Sequence, residues 1–197
     1  MEQKLILGSQ SPRRAEIMGY FSLPFEQIPS PFNEESLVFK GDAQAYVQAL
    51  SDEKMRALSV LHPERTIISA DTIVYQAGTV YGKPKTQEEA EAALQQLSGS
   101  WHSVFTAVTV GKGSKLVHAT EESRVLFHPL TLDQIQNYIE SLHCWDKAGA
   151  YAIQGAGSII VKRIEGCYYN VMGLPISTLG KLLKEMQIDL WDYLSDS

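Results

Sequence analysis

The sequence predicts a mixed α/β fold, and three observations carry that reading. The strand-like run Lys4-Leu5-Ile6-Leu7 passes through a tight turn into a helix start at Ser11-Pro12. Segments with apolar residues three and four apart recur along the chain behind N-terminal capping residues. Between them lie apolar stretches that fold back on one another across glycine-containing turns.

Taken in order, the first helix runs from Pro12 toward Tyr20. Asp42 can cap a second helix whose apolar face comprises Tyr46, Val47, Leu50, Ala57, Leu58 and Leu61, with Lys54 on the same stripe. Residues 66–70 read as a buried strand ended by Asp71, and residues 73–81 as a hairpin around Gln76-Ala77-Gly78. Thr86 with Glu89 has the pattern of a capping box; the helix behind it buries Ala90, Ala93, Leu94 and Leu97 and stops at Gly99. Residues 101–110 and 115–127, joined by Gly111-Lys112-Gly113-Ser114, predict a long antiparallel pair. Thr131 with Gln134 caps a helix carrying Ile135, Tyr138, Ile139 and Leu142. Residues 159–164 and 168–171 predict a second hairpin through Glu165-Gly166, and a helix from Pro175 to about Ile188 closes the chain.

With 197 residues, 44% of them apolar, the chain can bury a sizeable core, and it reads as one cooperative unit over residues 1–197. No apolar run approaches the roughly 20 residues that span a bilayer, and no signal peptide is visible. Cys144 and Cys167 stand far apart without ligand-like spacing, which fits a reducing, cytosolic setting. A formal charge of -6 argues against a protein that coats nucleic acid. If a polyanion is the ligand, the cations that hold it must be gathered locally.

Such a gathering begins at Gly8-Ser9-Gln10-Ser11-Pro12-Arg13-Arg14. Two arginines in the first turn of a helix stand where the macrodipole is already positive, an arrangement that a bound phosphate would relieve; a solvent-facing pair is the plainer alternative. Asp71, directly after an apolar strand, can ligate Mg²⁺ or serve as general base, or simply form an Asx turn. Lys83, in Gly82-Lys83-Pro84, can return beside Asp71 across the hairpin. Lys54 on an apolar stripe needs a partner or ligand unless its stem snorkels to solvent. Glu34 and Glu35 follow Pro29-Ser30-Pro31 in a loop and are uninformative in isolation. Residues 78–83 lack the spacing of a P-loop, the glycines at 155 and 157 precede a strand-like run rather than a helix, and no histidine pair has metal spacing.

Four blocks in this order, Leu7-Gly8-Ser9-Gln10-Ser11-Pro12-Arg13-Arg14, Ser69-Ala70-Asp71-Thr72, Gly82-Lys83-Pro84 and residues 146–155, resemble the Maf family. Glu53-Lys54, Leu97-Ser98-Gly99 with His102, and residues 169–175 are similar to further signatures of that family, so the resemblance covers nearly the whole chain. It implies an elongated twisted sheet flanked by helices, of the Maf/ITPase type, with a cleft between two lobes. It also implies a nucleotide pyrophosphatase dependent on a divalent cation, Mg²⁺ or Mn²⁺, acting as a homodimer and associated with arrest of septum formation.

Position by position, the resemblance carries over Asp71, Lys83, Glu34 and Lys54 as catalytic residues, Ser9, Arg13, Arg14 and Gln154 as substrate-binding residues, and Asp71 with Glu34 as metal ligands. The Gln154 context and Tyr168-Tyr169-Asn170 resemble the branch acting on dTTP and UTP rather than on 7-methyl-GTP. Gly8 and Ala107 depart from the family's usual alanine and glycine. The expected reaction is attack of a water, activated by Asp71, on the α-phosphorus of a nucleoside triphosphate. The rival expectations are a nucleotide-binding regulator of cell division without catalysis, and a nucleic-acid-binding module.

Overall fold

Over residues 4–194, which the computed structural model describes, the chain runs β1 (Leu5–Leu7), α1 (Pro12–Met18), β2 (Phe25–Gln27), α2 (Ala43–Leu61), β3 (Ile67–Gln76), β4 (Thr79–Tyr81), α3 (Gln87–Leu97), β5 (Trp101–Lys112), β6 (Lys115–Phe127), α4 (Leu132–Leu142), β7 (Val161–Glu165), α5 (Tyr168–Met172) and α6 (Ile176–Glu185). All seven strands join one sheet in the order β2-β1-β3-β5-β6-β7, with β4 attached to β3. From β3 through β5 and β6 to β7 the sheet is an antiparallel meander, while β1 lies parallel to β2 and β3. The expected mixed α/β architecture is the one observed.

Strand alternation sets the two faces. On one, Ile67 and Ile6 pack against Met55 and Leu58 of α2, while Ile73, Phe105 and Ala107 pack against Val47 and Leu50 of the same helix. On the other, Ile68, Ala70, Val108 and Val110 meet Ile17 and Met18 of α1 and Leu179, Leu182 and Leu183 of α6. Farther along that face, Val74, Val104 and Val125 meet α3 and α4 through Leu94, Leu97, Ile135 and Ile139. Side chains such as Leu58 and Leu94, with no exposed surface, each stabilise the fold by about 1.5–3 kcal/mol of apolar burial.

Polar contacts fix how α2 sits on the sheet. The Asp52 carboxylate accepts from Thr109 Oγ1 at 2.8 Å and Gln48 Nε2 at 2.9 Å, and lies 3.0 Å from His118 Nδ1. The buried Ser51 hydroxyl lies 2.9 Å from Thr109 Oγ1. Two residues beyond Asp52 stands Lys54, so this clamp also sets where its side chain enters the protein.

Several local expectations are corrected. Asp71 does not end its strand: β3 continues through it to Gln76. The inward face of α2 also uses Ser51 and Met55, whereas Leu61, the last residue of the helix, is exposed. Thr86 accepts from Glu89 N at 3.2 Å, but the Glu89 carboxylate turns to Lys85 N at 2.7 Å, so the capping box is half made. At Thr131 both halves form.

The expected second hairpin does not form, although most of its first strand is observed as β7. Residues 155–160 form a 3-10 segment, and β7 pairs back onto β6 instead. At Cys167 the Ser123 hydroxyl takes over, accepting from Cys167 N at 2.9 Å and donating to Cys167 O at 3.0 Å. The aromatic and β-branched run that follows then winds into α5, because tertiary contacts outweigh strand propensity there.

One feature of the sheet prepares the site. β1 reaches β3 only at Ile67 and Ile68, and β4 reaches it at Val74, Tyr75 and Gln76. Both lie on the edge opposite β5, so among the described residues no strand covers that edge over residues 69–73. Asp71 is at the middle of this gap.

Candidate active site

The gap in the sheet edge opens into a cleft of about 560 Å³. From one face of the sheet, Lys54 reaches Asp71 and forms an ion pair with its Oδ1; the same ammonium lies 2.7 Å from Glu34 Oε1. Lys54 and Asp71 are only 8% and 7% exposed, whereas the Glu34 side chain is 56% exposed. An inner carboxylate, an ammonium and an outer carboxylate therefore form a row leading out of the protein. Glu34 belongs to a one-turn 3-10 segment held by Asn33, whose Oδ1 accepts from Glu35 N at 3.1 Å. Glu35 turns away and pairs with Lys85.

Burial pushes the Asp71 carboxyl above the ordinary aspartate range, against the opposing pull of Lys54 and Arg14. For Glu34 burial works in the same direction, but Lys54, Lys83 and Arg14 together outweigh it and hold the group below the usual range. Burial tips the inner acid toward the proton; the outer acid is held ionised.

Arg14 enters from the opposite face of the sheet, and its guanidinium is already engaged by the protein. Nε donates to Gly173 O at 2.7 Å, Nη1 to Ala70 O at 2.8 Å and to Ser9 Oγ at 3.1 Å, and Nη2 to Thr72 Oγ1 at 3.0 Å. It thus occupies part of the uncovered edge of β3 and joins the loop after β1 to the loop after α5. Gly173 takes φ +108, and a Cβ there would stand 3.2 Å from Thr72 Oγ1, so this carbonyl is presented from a backbone that suits glycine. Thr72 in turn lies 2.9 Å from Thr106 Oγ1, which donates to Asn170 O at 2.8 Å.

Of the residues expected at the site, Ser9, Arg13, Arg14, Glu34, Lys54, Asp71 and Lys83 all line this one cleft. The expected arginine pair divides: Arg14 is buried among protein acceptors, and Arg13 lies on the cleft wall. Gln154 follows Ile153, which lines the cleft, and turns its side chain to Glu16 of α1. The cleft also contains Tyr46, Thr72, Lys147 and Tyr151, which were not singled out from the sequence. Thr72 and Lys147 lie inside recognised blocks, beside Asp71 and ahead of Ala148-Gly149; nothing in the spacing around Tyr46 marks it.

Two carboxylates, Asp71 and Glu34, are the donors a hard cation would find here. Among the described residues no group of three or more His, Cys, Asp or Glu assembles. Lys54 takes Asp71 Oδ1 and Glu34 Oε1, which leaves the other oxygen of each acid for Mg²⁺ or Mn²⁺, in the manner of sites that use one or two carboxylates and take their remaining ligands from substrate phosphates and water.

Comparison with known proteins adds independent information. A protein from Chlamydia caviae named dTTP/UTP pyrophosphatase is 44% identical over 195 residues, spanning 98% of this chain and 100% of that one. One of the same name from Clostridium perfringens is 44% identical over 190 residues, spanning 95% and 99%. Among solved structures, the Staphylococcus aureus Ham1 protein aligns over 98% of this chain and 94% of that chain, with TM-score 0.46 and 10% identity, a distant likeness. The family model described as Maf-like protein matches residues 4–186, and with near-complete relatives at 44% identity the chain belongs to the Maf family.

Proposed function

We propose that this protein is a nucleoside triphosphate pyrophosphatase that converts dTTP and UTP to the monophosphate and pyrophosphate. The observation that carries the reading is the buried Asp71, ion-paired through one oxygen, at the inner end of a cleft walled by Arg13, Lys83 and Lys147. Membership of the family and the names of the near-complete relatives support the same substrate class.

In this mechanism Arg13, Lys54 and Lys83 spread over the triphosphate and offset its charge. Arg14 holds Ser9, Thr72 and the Gly173 loop in register behind them. Lys54 occupies Asp71 Oδ1, so Oδ2 receives the water's proton as its oxygen attacks the α-phosphorus. The bond from the α-phosphorus to the bridging oxygen breaks, and pyrophosphate leaves with the electron pair. Asp71 and Glu34 would hold a divalent cation, which when bound neutralises charge on the phosphate oxygens. A cytosolic setting and a homodimer belong to the same proposal.

The test is a panel of dTTP, UTP, CTP and 7-methyl-GTP, each incubated with pure protein and Mg²⁺ and assayed for pyrophosphate. Release from dTTP and UTP is expected. Nucleotide binding with no pyrophosphate from any of the four would make the protein a sensor and end the catalytic reading.

A further inference from the structure

Glu16 has no part in the reaction just described, yet it holds a residue implicated in substrate binding. It lies on α1 one turn beyond Arg13, and both of its oxygens accept from Gln154 Nε2 at 3.2 Å. The Tyr20 hydroxyl also donates to Glu16 Oε1, at 3.0 Å. Tyr20 packs edge-on against Tyr169 at 6.1 Å, and Tyr169 against Tyr168 at 5.6 Å, so a row of three aromatic rings leads away from Glu16.

A carboxylate accepts hydrogen bonds and cannot donate them. Beside Glu16, the Gln154 amide must therefore turn its NH₂ toward α1. Its carbonyl oxygen is the end left over, and the pair stands beside the cleft: Gln154 adjoins Ile153 and Glu16 lies one turn from Arg13, and both Ile153 and Arg13 line it.

We propose that Glu16 is a positioning residue for base selection: by taking the amide N–H groups of Gln154, it leaves Gln154 able to offer a nucleobase only an acceptor. The inference rests on the proposed action on dTTP and UTP. A uracil or thymine ring attached to its sugar has a single N–H donor, at N3, whereas cytosine has a lone pair at that atom. An acceptor fixed opposite N3 attracts the first two bases and repels the third. A glutamine free to rotate its amide would serve all three, because it can present either end.

The experiment measures kcat/KM for UTP and for CTP in the wild type, in Glu16→Ala, and in the double variant Glu16→Ala/Gln154→Glu. The wild type should favour UTP. Glu16→Ala should reduce the UTP:CTP ratio about tenfold, the scale of one hydrogen bond exchanged for a mismatched pair. A glutamate at 154 is itself acceptor-only, so the double variant should regain the wild-type ratio even if its absolute rates are lower. Damage to folding would lower both substrates together and leave the ratio in place. An unchanged ratio in Glu16→Ala, or a reduced ratio that the double variant does not restore, overturns the role of Glu16. A wild type active on triphosphates with no preference for UTP overturns the dTTP/UTP reading as well.

Discussion

Two buried polar pairs border the same cleft, and burial acts on them with different results. In the first, Asp71 meets Lys54 and is influenced by Arg14, so the cost of burying its charge is opposed by two cations. In the second, His102 Nε2 lies 3.0 Å from the Tyr151 hydroxyl, its ring is edge-on to Phe127 at 4.6 Å, and its Nδ1 is buried without a partner. No charge compensates His102, and burial pushes its pKa down to about 4. The contrast shows that burial alone does not make a group reactive. With cations beside it, a buried acid can keep a charge and exchange a proton; without them, a buried imidazole stays neutral and serves as scaffolding.

The largest effect that would break this contrast is on turnover. Asp71→Asn should lower kcat by a factor of about 10²–10⁴, the usual contribution of a general base, while circular dichroism stays that of the wild type. Because burial raises the Asp71 pKa, the acid limb of the wild-type kcat/KM profile should fall at a pH above that of an ordinary aspartate. Undiminished turnover in Asp71→Asn would remove this residue from the mechanism.

For the neutral pair the expected effect is on stability. The unfolded chain takes up a proton at His102 near the ordinary histidine value of 6.5, whereas the folded chain does so only at about 4. Stability is therefore fully present above 6.5 and is lost as pH falls from there toward 4, by up to about 3 kcal/mol over that window. Chemical denaturation at a series of pH values should show this slope, and His102→Phe should flatten it. The smallest effect is that of Tyr151→Phe, which deprives His102 Nε2 of its partner. About 1–3 kcal/mol of destabilisation is expected, with kcat reduced far less than by Asp71→Asn; a loss as large as that of Asp71→Asn would make Tyr151 part of the chemistry.

The same contrast explains which parts were legible in the sequence. Helices with local signals, such as α4 behind Thr131 and Gln134, could be read because cap and stripe lie within a few residues of one another. The position of Lys54 on an apolar stripe was equally plain. Its partner was not: Asp71 is 17 residues away, and an aspartate after an apolar run reads as a strand end unless its compensating cations are known. Arg14 shows the same limit, since two of its acceptors, Ala70 O and Gly173 O, are backbone atoms 56 and 159 residues away that no side-chain pattern reports. Residues 168–171 have strand composition, and only the ties of Cys167 and Asn170 to Ser123 turn them into α5.

The uncovered rungs of β3 over residues 69–73 have a consequence for crowded solution. A bare strand margin is a template on which another polypeptide can add itself, and unchecked addition leads to fibrils. Here the margin is short and buried, and Arg14 fills part of it by donating to Ala70 O and Thr72 Oγ1. The opening that admits a small anion is thereby guarded against becoming a seed for aggregation.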